Sequence, residues 1–267
     1  MGLIKYANLG EIMLSKNQIK EIQSLRLKKF RDEQNTFIAE GIKTVAEIIE
    51  QAPILLQEIF ATKDFIYQYK TKLRQLNIHF TEVSEDELKK ISLQSTPNHA
   101  LALCNYFKEK KDKFDFTTNF SFYLDDVRDP GNFGTIVRLA NWFGVSTIYA
   151  SETSCDFYNP KVIQSTMGAF LRVAVKYAEL EQLIASEKIK TVYGAVLTGK
   201  NLYQQKLQQG LIVIGNEANG ISELNLKQIT HPLTIPSHQN NGTESLNAAM
   251  ATSIIASEFF RQLKVQS

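Results

Sequence analysis

Short apolar runs alternate with amphipathic stretches along this chain, and the alternation predicts strands separated by helices. In the C-terminal half, the predicted strands are the runs rich in β-branched and aromatic residues, Phe120–Leu124, Thr147–Ala150, Thr191–Val196, Leu211–Ile214 and Leu233–Ile235. Helical spacing lies between most of them, and a longer helix is predicted from about Ser245 to Leu263. Strands that are apolar on both faces and alternate with helices are typical of a parallel sheet covered on both sides. We therefore expect an α/β fold.

The N-terminal part predicts a second, smaller α/β unit. Its predicted elements are a helix from Ser15 to about Phe30, a helix over Ile42–Glu50, strands over Ile54–Ala61 and Ile78–Val83, and a capping-box helix from Ser84 to Ile91. The charged run Lys108–Lys113 separates two strand-like stretches, which indicates a linker. We expect an N-terminal domain over 1–107, a linker over 108–119 and a second domain over 120–267. The alternative interpretation of the charged run is an exposed loop inside one domain.

The composition excludes several classes of protein. Of 267 residues, 43% are apolar and the formal net charge is only +2, which is far from the composition of disordered chains. No apolar run approaches the ~18 residues that cross a bilayer, and Lys5 and Glu11 interrupt the N-terminus too early for a secretory signal. Cys104 and Cys155 are too few for a disulfide framework. We expect a cytoplasmic protein with reduced thiols, no membrane partner and, because its histidines lack ligand spacing, no metal.

One segment comes close to a nucleotide-binding motif. Gly194–Asn201 nearly matches the P-loop pattern GxxxxGK[ST], but Asn201 stands where a hydroxyl should bind Mg²⁺. Residues 195–197 also look like the end of a strand, and the chain contains no GxGxxG fingerprint. A P-loop NTPase is therefore a distant alternative.

Three polar blocks lie at predicted strand-to-helix junctions. In the first, Leu124–Arg138, the turn Asp129–Gly131 leads to Asn132, which we expect to cap the following helix. Gly144 is predicted to end that helix, and Arg138 lies off its apolar stripe. Taken alone, this block is more typical of a simple turn before a well-capped helix with a solvated arginine than of a functional site.

The second and third blocks follow later strands. In Leu211–Ile221, a fully apolar strand runs into Gly215, and a glycine there permits a ligand to approach the backbone at the carboxyl end of a sheet. In Leu233–Ala249, a polar loop leads to Ser245, which we expect to cap the last helix. The broad apolar surface of that helix predicts burial against a second subunit or, equally, against the core.

The three blocks read DVRDPGNFGTIVRLA, IVIGNEANGIS and IPSHQNNGTESLNAA. In this order they resemble the signature of the SpoU/TrmH family of RNA ribose methyltransferases in the SPOUT superfamily. Segments 28–31, 37–41 and 96–100 are similar to the family's substrate-binding domain. The resemblance implies a parallel-sheet domain with a deep trefoil knot, preceded by a small α/β substrate-binding domain. It also implies S-adenosylmethionine as cofactor, 2′-O-methylation of a ribose in RNA, rRNA more than tRNA, and a homodimer through the C-terminal domain.

The resemblance also assigns site residues. The cofactor pocket would be lined by Leu197, Thr198, Gly215, Ile235 and Leu246. Arg138 would activate the ribose 2′-hydroxyl, either as a base or, because arginine normally stays protonated, as a charged group that binds phosphate and stabilises the alkoxide. The family's other polar positions are matched by Asn132, Glu217, Ser245 and Asn247. We expect these residues to orient Arg138, the ribose or the cofactor.

Local charge adds a candidate RNA-binding face. On the predicted first helix, Glu21 opposes six basic residues, Lys16, Lys20, Arg26, Lys28, Lys29 and Arg31. Such a cluster is typical of a phosphate-binding face and equally of a solvated helix surface. The alternative function from a different class is therefore a catalytically silent RNA-binding protein with the same fold.

Overall fold

The computed structural model describes residues 14–94, 96–108, 114–238 and 245–263. The chain divides into two compact units, one ending at Phe107 and the other beginning at Lys108. Of the predicted linker, residues 109–113 lie outside the described residues. Phe114 and Phe116 pack together, with ring centroids 4.8 Å apart, and Phe116 stacks on Tyr149 of the second unit. This part of the predicted linker thus packs onto the second unit.

The N-terminal unit is built around a four-stranded mixed sheet. Its elements are α1 (Lys16–Ser24), α2 (Lys28–Gln34), β1 (Thr36–Glu40), α3 (Ile42–Gln51), β2 (Leu56–Ala61), α4 (Lys63–Gln75), β3 (His79–Glu82), α5 (Glu85–Ile91) and β4 (Ala100–Asn105). The strand order is β1-β4-β2-β3, with β4 antiparallel to both neighbours and β2 parallel to β3. Ile22 and Leu88 pack with Ile38 and Phe60 of the sheet, so α1 and α5 share one apolar core with it.

The predicted single first helix is wrong, because the chain turns between α1, which ends at Ser24, and α2, which begins at Lys28. Arg31 lies inside this corner with only 1% of its surface exposed. Its guanidinium donates from one nitrogen to the carbonyl oxygens of Leu25 at 2.8 Å and Arg26 at 2.9 Å. A buried guanidinium that binds backbone carbonyls cannot also contact phosphates on a surface. The structure therefore removes Arg31 from the predicted RNA-binding face.

The C-terminal unit contains a six-stranded sheet in which every pairing is parallel. Its elements are β5 (Phe120–Leu124), α6 (Pro130–Trp142), β6 (Thr147–Ala150), α7 (Pro160–Ser165), β7 (Ala174–Tyr177), α8 (Leu180–Glu187), β8 (Val192–Asn201), β9 (Gly210–Ile214), α9 (Glu223–Leu226), β10 (His231–Thr234) and α10 (Ala248–Leu263). The strand order is β10-β8-β9-β5-β6-β7. The central strands β5 and β9 are buried along their whole length. The predicted parallel α/β sheet is confirmed.

The near P-loop is a strand in the structure, because Gly194–Asn201 forms the second part of β8. A Cβ on Gly199 would lie 2.5 Å from the Leu233 carbonyl carbon, so this glycine permits close approach of β10 rather than of a phosphate. The β8–β10 register jumps from Gly194–Pro232 to Lys200–Leu233, which leaves residues 195–199 between the two paired positions. The P-loop interpretation is wrong.

Two helices of the second unit run side by side and carry parts of the polar blocks. Near their starts Asn132 of α6 contacts Asn247, and near their ends Phe143 packs on Phe260 of α10 with ring centroids 5.6 Å apart. Helix α6 also lies tightly against α7, since a Cβ on Gly134 would lie 2.6 Å from the Val162 carbonyl oxygen. This close packing explains the glycine within the first block and fixes the helix that carries Asn132 and Arg138.

Candidate functional site

The carboxyl ends of β5 and β9 lie side by side, because Leu124 pairs with Ile214 at the end of both strands. The loop after β9 is a tight turn in which Asn216 and Gly220 exchange two backbone hydrogen bonds of 2.9 Å. A side chain at Gly215 would collide with the backbone of Gly220 and Ile221. Only glycine lets the chain fold back this closely. The turn projects Glu217 from the carboxyl end of the sheet.

Helix α6 starts differently from the prediction. Asp129 is the cap, and its carboxylate accepts a hydrogen bond from the Asn132 backbone at 2.7 Å. Pro130 occupies the first helical position, so an aspartate before a proline was the sequence signal for this start. Asn132 lies inside the first turn, which leaves its side chain to make other contacts. Gly144 ends the helix with φ of 73°, as predicted.

Helix α10 also begins later than predicted, at Ala248 rather than at Ser245. The cap is Asn247, whose Oδ1 accepts from the backbone nitrogens of Ala249 at 3.0 Å and Met250 at 3.2 Å. Ser245 is exposed and makes no hydrogen bond with another residue in the described part of the chain. Its predicted capping role is wrong.

Asn132, Glu217 and Asn247 meet in one hydrogen-bonded group, the polar cluster. The Asn132 Nδ2 donates to Glu217 Oε1 at 2.5 Å, and the Asn247 Nδ2 donates to Asn132 Oδ1 at 2.8 Å. These contacts join residues that are 85 and 115 positions apart. Because Asn247 also caps α10, the direction of each amide is fixed along the whole group. The structure thus brings together one residue from each of the three blocks.

Arg138 does not join the polar cluster. It lies six positions after Asn132 on α6, which places it about 120° around the helix axis, on the same exposed side as Thr135 and Trp142. Within the described ranges, Arg138 makes no hydrogen bond or ion pair with another residue. Its guanidinium is therefore available to a ligand or a partner.

The residues matched to a cofactor pocket fall into two groups at the same end of the sheet. Strand β8 pairs with β9 up to Gly194–Val213, so Leu197 and Thr198 continue beyond the carboxyl end of β9. Thr234 donates to the Leu197 carbonyl oxygen at 3.1 Å, which ties this stretch to β10 just before Ile235. In the second group, Gly215 directly precedes the turn that begins at Asn216, and Leu246 directly precedes Asn247 of the polar cluster. Leu197 and Leu246 expose 71% and 44% of their surfaces.

The described residues offer neither a metal site nor a membrane-spanning helix. No group of three or more His, Cys, Asp and Glu side chains there is arranged to hold a metal ion. No helix in the same ranges is both long and apolar enough to span a bilayer.

Comparison with known proteins covers both units. Residues 119–257 match the SpoU rRNA methylase family, and residues 16–102 match the MRM3-like substrate binding domain. The 23S rRNA (guanosine(2553)-2′-O)-methyltransferase RlmP of Bacillus subtilis is 27% identical over 255 residues, which cover 92% of this chain and 98% of that protein.

Solved structures give the same result. A protein of Porphyromonas gingivalis, described as a proposed RNA methyltransferase of the TrmH family, is 35% identical with a TM-score of 0.78, over 94% of this chain and 99% of that one. The AdoMet-bound rRNA methyltransferase of Sinorhizobium meliloti is 25% identical with a TM-score of 0.82, over 94% and 96%. The first family match spans more than half of the chain and confirms the resemblance that the three blocks indicated. The chain therefore belongs to the SpoU rRNA methylase family.

Proposed function

We propose that this protein transfers a methyl group from S-adenosylmethionine to a ribose 2′-hydroxyl of rRNA. The observation that carries this function is the polar cluster, which joins the three family blocks at the carboxyl end of a parallel sheet. Open α/β sheets bind their ligands at this end. RlmP and the Sinorhizobium meliloti protein, both named rRNA methyltransferases, support rRNA as the substrate class.

The residues at the end of the sheet suit the cofactor. Leu197 and Leu246 offer exposed apolar surface for an adenosine, and Gly215 keeps the turn free of a side chain where the backbone folds back. Ligand pockets typically combine such apolar walls with a few precisely placed polar groups. When bound, S-adenosylmethionine supplies the electrophilic methyl group. We place its site between the β8–β10 stretch and the turn after β9.

The chain itself must activate and orient the ribose. A 2′-hydroxyl is a weak nucleophile, and its attack requires loss of its proton and stabilisation of the developing negative charge. We assign the charge stabilisation to Arg138, whose exposed guanidinium suits both the adjacent phosphate and the alkoxide. Glu217 Oε2 accepts no hydrogen bond from another described residue and is left to orient the ribose. We keep Ser245, near the start of α10, as a substrate or cofactor contact.

The chain path supports the trefoil knot that the resemblance implies. After β9 the chain passes β8 to form β10 on its far side. It then returns to α10, whose Phe259 packs on Phe120 of β5 and Tyr193 of β8. We propose that this return from β10 to α10 closes the knot. A crystal structure that traces residues 235–248, and shows whether they thread through the rest of the C-terminal unit, would test it.

The basic face of the N-terminal unit is the proposed RNA contact. Lys16, Lys20, Arg26 and Lys28 are exposed, whereas Lys29 lies 3.9 Å from Glu33 and is partly neutralised. We expect Lys20→Ala combined with Lys28→Ala to weaken RNA binding and to lower the slope of log K against log salt by about 1 for each lysine. Filter binding at several salt concentrations measures this. Lys190→Ala with Lys206→Ala, two exposed lysines of the other unit, is the matched control, and equal slopes for the two pairs would refute the contact.

The side-by-side helices α6 and α10 are the proposed contact with a second copy. Trp142 and Met250 expose 80% and 57% of their surfaces on these helices, with Arg138 on the same side of α6 as Trp142. Large apolar side chains left in water at one surface are typical of an interface. We expect Trp142→Glu to convert a dimer to a monomer in analytical ultracentrifugation. Tyr67→Glu, at an 84% exposed aromatic residue of the other unit, should leave the dimer intact.

Methyl transfer in vitro tests the function directly. Purified protein, S-adenosylmethionine labelled in its methyl group and rRNA are incubated, and the RNA is digested to nucleosides for mass spectrometry. A labelled 2′-O-methylnucleoside is the expected product. If the protein binds RNA but neither transfers a methyl group nor binds the cofactor, it is instead the catalytically silent RNA-binding protein. Mapping 2′-O-methyl sites in cellular RNA with and without this protein then locates the target nucleotide.

A further inference from the structure

Asn216 joins the two loops that carry the polar cluster. Its Nδ2 donates to the Asp126 carbonyl oxygen at 2.8 Å, which ties the turn after β9 to the loop after β5. Its Oδ1 accepts from the backbone nitrogens of Ala218 at 2.9 Å and Asn219 at 3.2 Å. One side chain thus closes the turn around Glu217 and fastens that turn to the segment leading into α6.

A second contact fixes the far end of the same turn. The Asp125 carboxylate, 3% exposed, accepts from the Ser222 backbone nitrogen at 2.7 Å. The turn is therefore held at both ends by consecutive residues of the β5 loop. Asp126 has φ of 58°, and its backbone nitrogen donates to the Ser151 hydroxyl at 2.9 Å, so the carbonyl that Asn216 binds is itself held in place.

The contacts of Asn216 require an amide. The side chain must donate towards one carbonyl and accept from two backbone N–H groups, which only an amide does at this length. A carboxylate would keep the acceptor but place a negative oxygen against the Asp126 carbonyl and near Asp126 Oδ2, now 3.5 Å away. The charged groups around this position are Asp125, Asp126, Arg128 and Glu217, and Arg128 is already paired with Asp126.

We infer that Asn216 is a positioning residue for methyl transfer, holding Glu217 at hydrogen-bonding distance from Asn132 without touching the substrate. The inference rests on the proposed function, because it assigns Asn216 to the same reaction. A shift of ~1 Å in a catalytic group is enough to slow a reaction ~10²-fold. Loss of the Asp126 contact frees the turn to make such a shift.

The test compares Asn216→Asp with Asn219→Asp. Both add one negative charge to the same turn, but the Asn219 side chain is exposed and makes no hydrogen bond with another described residue. We expect Asn216→Asp to lower kcat at pH 8 by about 10- to 100-fold, with the KM for RNA nearly unchanged, and Asn219→Asp to behave like the wild type. The kcat is expressed per cofactor-binding site from calorimetry, so that a misfolded fraction does not count.

The split between kcat and KM separates positioning from weaker substrate binding. A rise in the KM for RNA with kcat unchanged, or equal kcat values for the two variants, would overturn the positioning role. Failure of the proposed function gives a different result, since the wild-type protein would then transfer no methyl group.

Discussion

Arg138→Ala should lose about 10²–10³-fold in kcat, the cost of removing one preorganised group that stabilises developing charge. The side chain is exposed and lacks hydrogen bonds to the rest of the described chain, so its removal should leave the unfolding free energy nearly unchanged. Cofactor affinity should also persist, because Leu197, Gly215 and Leu246 lie on other elements. Single-turnover methyl transfer and calorimetry with S-adenosylmethionine measure the two quantities separately.

Arg138→Lys distinguishes the two chemical roles of the arginine. Lysine keeps the positive charge but loses the planar fork that binds phosphate through two hydrogen bonds. If Arg138 stabilises charge, Arg138→Lys should retain part of the activity that Arg138→Ala loses. Full activity in Arg138→Ala would exclude any role of this residue in the reaction.

Gly215→Ala should produce the other large effect. Its Cβ would collide with the backbone of Gly220 and Ile221, and backbone atoms cannot move aside as a flexible side chain does. We expect the unfolding free energy to fall by about 2–3 kcal/mol and the turn carrying Glu217 to shift. A shift of that kind should reduce kcat by ~10²-fold and weaken cofactor binding. Urea denaturation and single-turnover assays measure the two losses.

Gly220→Ala is the control for this substitution. Gly220 has φ of 67° but no atom within 4 Å of an added Cβ. The substitution should cost about 1 kcal/mol in backbone strain while the turn stays in place and most of the activity remains. If both variants lost activity equally, strain in the turn rather than the collision at Gly215 would be responsible.

The sequence predicts most of the parallel sheet because its central strands are continuous apolar runs. Strand β7 escapes prediction, since Ala174–Tyr177 is a short, half-buried edge strand with a lysine inside it. Strand β8 is predicted too short, because Gly199, after the predicted end at Val196, is typical of a loop although it permits close packing of β10. In the N-terminal unit, the corner between α1 and α2 is invisible because the charged pattern continues across it.

The chemistry of the site follows from the blocks, but its geometry does not. Asn132, Glu217 and Asn247 are selected through the family resemblance, whereas their hydrogen bonds depend on three loops distant in sequence. The sequence predicts Asn132 and Ser245 as helix caps, whereas the structure has Asp129 and Asn247. Several side chains in each loop are suitable caps, so the sequence alone does not select the correct one. Asn216 has no sequence signal of its own, since its role depends on the Asp126 carbonyl.

The order of the parallel strands also bears on how copies of this protein avoid aggregation. The sheet has two edges, β10 and β7, where a strand of another chain could add by backbone pairing. Pro232 removes a backbone donor from β10, and Lys176 places a charge within β7. Both residues disfavour edge-to-edge pairing. A dimer of the proposed kind would therefore form through the helical surface that carries Trp142 rather than through either edge of the sheet.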